Sequence, residues 1–336
     1  MNVLICTTSA ARDPGVPMVI DALAARGAEA IRLESDRFPG EIDLSIHWDR
    51  DDRVLLSSSA GAIDLGRIAA AWIRHTDTGE ALPVTMDRCH REAARNESDA
   101  MLWGLLECLD VYRLDPPEAL RAAPYKPRQL QLARQHGLAI PKTLVTNSPE
   151  AARDFARTCP GGVVAKLVDG STLRVDASHD AARVFTRRLD DDDLAHLEGL
   201  RLAPMIFQEL VPKARELRVT VVGARAFVAA VDAGKSELGA ADWRRDRALA
   251  ATFVPWPDCP PAVLDRLMAL LTRLGLDFAT IDMIVTPDGR HVFLELNTIS
   301  YFDFIERATG QPISLAIADL LLGLGPSRFP YRRTHA

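Results

Sequence analysis

The sequence predicts a mixed α/β protein of more than one domain, α/β in its first third and α+β towards its end. Three observations carry this. The chain has 336 residues, more than the roughly 100–200 of a typical domain. Its first third alternates short apolar runs with helical spacing. Its last third is a succession of short apolar strands broken by one strongly periodic helix.

The elements follow in order. Residues 3–6 form an apolar strand, and PMVIDALAAR (17–26) has helical spacing that stops at Gly27, a helix C-terminal signal. Residues 30–33 read as a second strand. Residues 42–48 alternate apolar and polar side chains and can pair with 54–58 as a hairpin, and 68–73 is a further strand. A long helical pattern covers 91–109. This βα start followed by a meander predicts a small α/β layer over 1–115, with Asp115-Pro116-Pro117 as its boundary.

The middle opens with a helix over 129–136, closed by Gly137, and leaves Lys126 in a turn between Pro124 and Pro127. IPKTLVTN is a short strand, and Ser148-Pro149-Glu150 starts a helix with an N-cap and an early proline. GGVVAKLV is a strand to which STLRV returns antiparallel, and a helix is expected over about 180–189. MIFQELV, ELRVTVV, AFVAAVD and ATFVPW then read as successive strands. Residues 261–274 form a helix with Val263, Leu264, Leu267, Leu270, Leu271 and Leu274 on one face. FATIDMIV and HVFLELN are joined by Pro287-Asp288-Gly289-Arg290, a good hairpin turn. An apolar helix over 313–322 closes the pattern. The expected domains are 1–115, 116–202 and 203–327, with a tail at 328–336.

Composition narrows the function classes. Hydrophobic residues make up 48% and charged residues 26%, which excludes a mostly disordered chain. No run of 18 apolar residues exists, so no membrane span is expected, and the N-terminus lacks the basic start of a signal peptide. The net charge of -6 gives none of the basic surplus of a duplex nucleic-acid binder. The five cysteines, Cys6, Cys89, Cys108, Cys159 and Cys259, form no CxxC pair. They read as reduced thiols of a cytoplasmic protein without a zinc site.

The strongest chemical signal is Asp282 with Glu295-Leu296-Asn297. Alternate residues of a strand share a face, so Glu295 and Asn297 point the same way, and the hairpin brings Asp282 opposite them. Two carboxylates and an amide oxygen suit Mg²⁺, which keeps waters and binds substrate phosphates. An exposed polar sheet face would give the same spacing. The surrounding apolar residues favour the metal, because acids embedded in such strands are costly without a cation. Lys166 and Arg218 sit at strand positions and Lys126 in its turn, where fixed cations could clamp a triphosphate. No GxxxxGK[ST] or GxGxxG motif is present, which argues against P-loop and Rossmann nucleotide sites.

The order Lys126, Lys166, FQELVPK, Arg218, Asp282, Glu295-x-Asn297 resembles the ATP-grasp superfamily over about residues 1–325, and within it the graspetide synthetases, the microviridin-type peptide maturases. YKPRQLQLARQHGLAIPKTLVTN, QELVPKARELRVTVVG, the DWR at 242–244, TIDMIVTPDGRHVFLELN and GQPISLAIADLLL carry the resemblance, with Asp36-Arg37-Phe38-Pro39 in the first domain. It implies an ATP-grasp fold: an N-terminal α/β pre-ATP-grasp domain, a central domain and a C-terminal antiparallel-sheet domain, with ATP between the last two. Lys126 and Lys166 would contact the ATP phosphates. The backbone of Gln208, Glu209, Leu210 and Val211 would hold adenine, with Lys213 near the ribose. Arg218 would face the phosphates and the acyl group, and Asp282, Glu295 and Asn297 would hold Mg²⁺. Arg244 and Asp232 join Arg218 as catalytic candidates, with Glu216 a second candidate base.

The family joins Asp or Glu side chains of a ribosomal precursor peptide to Ser/Thr hydroxyls or Lys amines of the same peptide, as macrolactones or macrolactams. The implied partner is a leader-plus-core precursor, and the implied assembly a cytoplasmic homodimer. The acidic run Asp190, Asp191, Asp192 and Asp193 could receive a cationic leader helix, although such runs are also ordinary solvated loops. After Asn297 the family commonly has a tight turn with Pro and Gly. Here the chain reads Thr298-Ile299-Ser300-Tyr301-Phe302, a segment expected beyond the metal and near the acceptor.

Overall fold

A computed structural model describes residues 1–9, 13–48, 53–58, 61–169, 173–174, 181–182, 186–232 and 247–329. Its first part is built on the apolar run after Met1. Strands β1 (Asn2–Thr7) and β2 (Glu29–Glu34), joined by helix α1 (Gly15–Ala24), pair in parallel. Strands β3 (Ile42–His47), β4 (Arg53–Ser58) and β5 (Gly61–Asp64) form the expected meander as a separate antiparallel sheet. Strand β6 (Ala70–Ile73) returns beside β1. Helix α2 (Arg88–Cys108), N-capped by Asp87, leads to β7 (Tyr112–Leu114), so the parallel sheet runs β2-β1-β6-β7. Both faces of that sheet are covered, as parallel sheets require. Leu4, Cys6, Ile31 and Leu33 pack on α2 and the meander. Val3, Ile5, Ala70 and Trp72 pack on α1 and on the helix near the C-terminus.

Helix α3 (Pro117–Ala122) follows the proline pair, and α4 (Lys126–Gln135) starts at Lys126 itself, with Pro127 in its first turn. Lys126 is thus the first residue of a helix, three residues earlier than the spacing suggested, because proline is pre-set for that turn. Strand β8 (Thr143–Thr146), helix α5 (Pro149–Arg157, capped by Ser148) and strand β9 (Val163–Leu167) fulfil the sequence pattern. The next segment does not. Strand β10 (Leu173–Arg174) pairs with β11 (Ala181–Ala182) rather than with β9, and Arg187–Arg188 form strand β12 on the edge of β9. The helix expected over 180–189 is therefore replaced by strand at both described ends, where edge pairing overrides weak helical spacing. Helix α6 (Asp191–Ala195) and strand β13 (Met205–Glu209) complete a sheet in the order β12-β9-β13-β8.

Strands β14 (Arg215–Val222) and β15 (Arg225–Val231) form the next hairpin. The strand expected over 251–256 shrinks to β16 (Val254–Pro255), because Arg247–Thr252 winds as a 3-10 helix before it. Helix α7 (Pro261–Leu274) ends at Gly275 in the left-handed conformation, φ 77°, where glycine carries no Cβ penalty. Strands β17 (Phe278–Val285) and β18 (His291–Asn297) complete a five-stranded antiparallel sheet, β16-β15-β14-β17-β18. Helices α8 (Asp303–Thr309) and α9 (Ile313–Leu321) follow.

One face of this sheet buries Leu217, Val219, Ile281, Met283 and Phe293 against α4 and α7. Its other face is divided. Val222 and Phe278 join the core shared with α9 and the first sheet, while Glu216, Arg218 and Asp282 occupy the opposite ends of the same strands. Among the described residues no helix is long and apolar enough to cross a membrane. All five cysteines are free. Burial pushes the Cys6 thiol up to about 12 and that of Cys259 to about 11, so neither is a ready nucleophile.

Candidate active site

Strand β17 is buried along its whole length, and Asp282 is its one charged residue. From the turn upward, Val285, Ile284 and Met283 pair with His291, Val292 and Phe293. The next pair is Asp282 with Glu295, so the register slips by one and Leu294 bulges. Strict alternation would turn Glu295 into the core with Phe293. The bulge instead lets Leu294 and Glu295 both line the cleft. Asn297, two residues on, donates from Nδ2 to Glu295 Oε1 at 3.4 Å. The structure thus brings Asp282, Glu295 and Asn297 to one face, as the sequence predicted.

Cations surround the acids. Arg218 stands opposite Asp282 on β14 and donates to its Oδ1 at 2.6 Å. It also donates to the Ser300 hydroxyl. Lys126 Nζ lies 3.6 Å from Glu295 Oε2 and donates to the Leu167 carbonyl at 3.1 Å. It thereby ties the start of α4 to β9 and to the acid pair. Two carboxylates and an amide oxygen on facing strands fit Mg²⁺ by donor chemistry. Among the described residues no group of three or more His, Cys, Asp or Glu is arranged to hold a metal ion, which leaves this mixed set as the candidate.

The cleft runs between the β12-β9-β13-β8 sheet and the β17–β18 hairpin and is open to solvent, with about 590 Å³ of space between its walls and its mouth. On β9, Val164 and Lys166 face it while Val163 and Ala165 turn to a separate core with Phe207. On β13, Gln208 faces it in register with Val164. Gln208 is 2% exposed, its Nε2 donates to Thr143 Oγ1 at 3.1 Å, and its Oε1 has no partner among the described residues. Glu209 and Leu210 continue the wall, and Leu210 N–H donates to the Gly162 carbonyl at 2.8 Å. Val211 packs on Ile284 and Val292, with Leu294 against them. One end of the cleft is therefore apolar and the other carries lysines and acids, the polarity a nucleotide presents.

Lys213 and Glu216 both line the cleft and pair at 2.7 Å. Asp232 is ion-paired with Arg215 at 3.1 Å and does not line the cleft, so the geometry brings in Glu216 of the two candidate bases. Arg244 lies outside the described residues, as does the DWR stretch. The acidic run sits apart, at the start of α6. Asp190 and Asp193 form a reciprocal capping box there, Asp193 pairs with Arg187 at 2.7 Å, and Asp191 and Asp192 are exposed. Negative charge is favourable at a helix N-terminus, which gives the run a local structural use.

Two features escaped the sequence. The first is Gln129, 2% exposed. Its Nε2 donates to the Leu296 carbonyl at 2.8 Å and its Oε1 accepts from Leu296 N–H at 2.9 Å. One side-chain amide thus substitutes for a missing neighbour strand at the residue between Glu295 and Asn297. An amide in the first turns of an amphipathic helix carries no signal of this. The second is Arg74, which follows β6 fully buried, pairs with Asp13 at 2.7 Å and donates to the Ser300 carbonyl at 3.0 Å. Ser300 is held from both sides, by Arg74 and Arg218. This fixes the segment after Asn297 in a form without the family's tight turn.

Residues 2–121 match the family model described as the MvdD pre-ATP grasp domain. The macrocyclase MdnC from Microcystis aeruginosa MRC, solved with precursor peptide MdnA, is 36% identical over 96% of this chain and 100% of its own, with TM-score 0.86. A Chryseobacterium gregarium RiPP-associated ATP-grasp ligase, solved with ADP and a leader and core peptide, is 31% identical over the whole of both chains, with TM-score 0.91. Among curated proteins, the ribosomal protein bS6–L-glutamate ligase of Salmonella newport is 28% identical over 213 residues. The α-aminoadipate–LysW ligase LysX of Sulfurisphaera tokodaii is 26% identical over 193 residues. The matches span 66% and 62% of those two proteins, less than two thirds of either. With a likeness above 30% identity along the whole chain, and with Asp282, Glu295, Lys166 and Lys213 lining one cleft, the chain belongs to the ATP-grasp superfamily and within it to the graspetide synthetases.

Proposed function

We propose that this protein is an ADP-forming carboxylate ligase that closes rings within a ribosomal precursor peptide. It would join Asp or Glu side chains to Ser or Thr hydroxyls, or to Lys amines, of the same peptide. The observation that carries this reading is the whole-chain likeness to two peptide-bound ligases, combined with an acid pair placed among lysines at the polar end of the cleft.

A carboxylate is a poor electrophile at neutral pH. In the proposed reaction a substrate carboxylate oxygen bonds to the γ-phosphorus of ATP, the bond to the β–γ bridging oxygen breaks, and ADP leaves. The nucleophile then attacks the acyl carbon, loses its proton, and inorganic phosphate departs. Asp282, Glu295 and Asn297 would hold Mg²⁺, which when bound offsets charge on a triphosphate. Lys126 and Lys166 present fixed positive charge from helix and strand. The apolar wall of Val211, Ile284 and Leu294 and the adjoining backbone of 208–211 suit a nucleobase. Arg218, held by Asp282 and Ser300, is the donor placed to stabilise an oxyanion, a role that contributes roughly 3–4 kcal/mol in a dry site. Glu216 is the base within the cleft. Asp232, Arg244 and the leader-binding role of Asp190–Asp193 belong to the same proposal. So do the domain limits at 115, 202 and 327, a homodimer, and action in the cytoplasm.

The names of the curated relatives favour one second reading, ligation of an amino acid to a separate peptide or protein. Intact mass separates the two. Incubation with ATP, Mg²⁺ and the precursor peptide should lower the peptide mass by one water per bond. A gain of one amino-acid residue would establish the second reading instead.

A further inference from the structure

The parallel sheet of the first part changes character along its length. On the face towards α1 and α9, β1 presents Val3, Ile5 and then Thr7, and β6 presents Ala70, Trp72 and then Arg74. On β2, Ala30 packs against the same core and Arg32 follows two residues later. At the carboxyl edge the apolar face thus gives way to a polar row in which Thr7 pairs with Glu34 and Arg74 follows Ile73, with Arg32 one step back beside Ile5 and Thr8 next in the chain. Thr7 and Arg74 are 0% exposed and Thr8 3%.

This row holds unspent hydrogen-bonding capacity. Thr7 Oγ1, Thr8 Oγ1, Arg32 Nε and Arg74 Nη1 are all buried and have no partner among the described residues. A buried donor or acceptor left without a partner forfeits its hydration with nothing in exchange. Four together are not what a purely structural edge retains. Their surroundings hold them in place. Asp13 takes Arg74 Nε and Nη2, at 2.9 and 2.7 Å, and lies 3.5 Å from His75. Burial opposes ionisation of Asp13, but hydrogen bonds and charge from His75 and Arg74 outweigh it and hold its pKa at about 2. Glu34 takes Arg32 at 3.0 Å, and Asp36 takes the Ser9 N–H. Asp13 and Glu34 neutralise the arginines without using the atoms that remain free.

The edge adjoins the active site. Arg74 donates to the Ser300 carbonyl, Arg218 to the Ser300 hydroxyl, and the His75 and Tyr301 rings lie 6.1 Å apart. Ligands of open parallel sheets bind outside the carboxyl ends of the strands.

We infer that the Arg32–Thr7–Thr8–Arg74 edge is a binding subsite for a side-chain carboxylate of the peptide substrate. Two guanidinium N–H groups and two hydroxyls are donors for a planar two-oxygen anion. The subsite rests on the reading of the protein as a peptide carboxylate ligase. It would hold an acid of the peptide on the far side of Ser300 from Asp282, and so position the peptide across the site.

The test uses the full chain and needs no turnover. N-acetyl-L-glutamate, N-acetyl-L-glutamine and inorganic phosphate are titrated at matched ionic strength, with thermal midpoint as the readout. N-acetyl-L-glutamate should raise the midpoint saturably and the glutamine analogue should not. Thr7→Val, which replaces an unpartnered hydroxyl by a methyl, should leave the apo midpoint unchanged or raised. It should weaken N-acetyl-L-glutamate at least fivefold and leave the shift produced by ATP unaltered. Arg32→Met, at a half-exposed position, should weaken the acid likewise. Absence of a carboxylate-specific shift, or a shift that survives both substitutions, overturns the subsite. Phosphate binding as well as or better than the carboxylate overturns the ligand class. Ring closure by the wild type with no carboxylate-specific shift would remove the subsite and keep the function. The reverse result would remove the function and keep the subsite.

Discussion

Asp282 and Glu295 face each other across the β17–β18 hairpin because the register slips by one residue beside them. The bulge at Leu294 moves Glu295 from the core side of the sheet to the cleft, where Arg218 and Lys126 approach the two acids. Glu295→Gln keeps size and hydrogen bonding but removes charge. It should lower peptide-dependent ADP formation by at least about a hundredfold, an effect of roughly 2.7 kcal/mol on the barrier, with circular dichroism unchanged. Near-normal turnover in the folded variant would remove the acid pair from the chemistry.

Gln129 is expected to act on the same strand from behind. Gln129→Glu keeps an acceptor for Leu296 N–H but cannot donate to the Leu296 and Ala123 carbonyls. The half-saturating Mg²⁺ concentration should rise several-fold, with a smaller change in the KM for ATP. If both constants stay at wild-type values, the amide only supports the fold.

Lys166 enters the cleft from β9. Lys166→Ala should weaken ATP at least tenfold and shift the apo thermal midpoint little, because a charge at a cleft contributes little to the empty fold. Isothermal calorimetry alongside thermal melting separates the two, and lost stability with unchanged affinity would make the lysine structural.

These residues show what the sequence could disclose. Charged residues inside apolar strands stand out, so Asp282, Glu295, Lys166 and Arg218 were legible from type and spacing, and the hairpin turn at 287–290 placed two of them together. The bulge was not, because no glycine or proline marks it and Leu294 fits either register. Gln129 and Arg74 act through tertiary contacts with Leu296 and Ser300, far away in sequence, and nothing local distinguishes them. The misread stretches are short: strand pairing decided the form of 181–182 and 187–188, and the 3-10 helix over Arg247–Thr252 shortened the strand expected over 251–256.

The first sheet meets the C-terminal sheet through buried acid. Asp115, after β7, accepts from the N–H groups of Asp277 and Phe278 at 2.7 and 3.1 Å, and Tyr112 donates to Asp277 at 2.8 Å. Burial raises the Asp115 carboxyl to about 8, helped by the nearby Asp277 charge and opposed by the two N–H bonds and by Arg328. Its unfolded value is about 3.9. A raised folded value means that the contribution is complete below about pH 4 and is lost as pH rises through 8. The thermal midpoint should fall across that window, and Asp115→Asn, which does not titrate, should flatten the fall. An equal slope in both proteins would assign the effect elsewhere.

The exposed acids Asp191 and Asp192 test the leader site. Asp191→Asn with Asp192→Asn should raise the peptide KM several-fold at low salt, where surface attraction is least screened, and leave the ATP KM unchanged. Wild-type peptide affinity would confine the run to capping α6.

The most direct test of the account is the mass of a precursor peptide, taken from a reading frame beside the gene and rich in Thr, Asp and Glu, after incubation with the protein, ATP and Mg²⁺. The account predicts loss of one water for each ADP formed, with no reaction by Glu295→Gln. A peptide that gains a residue, or one left unchanged while ADP accumulates, would contradict it.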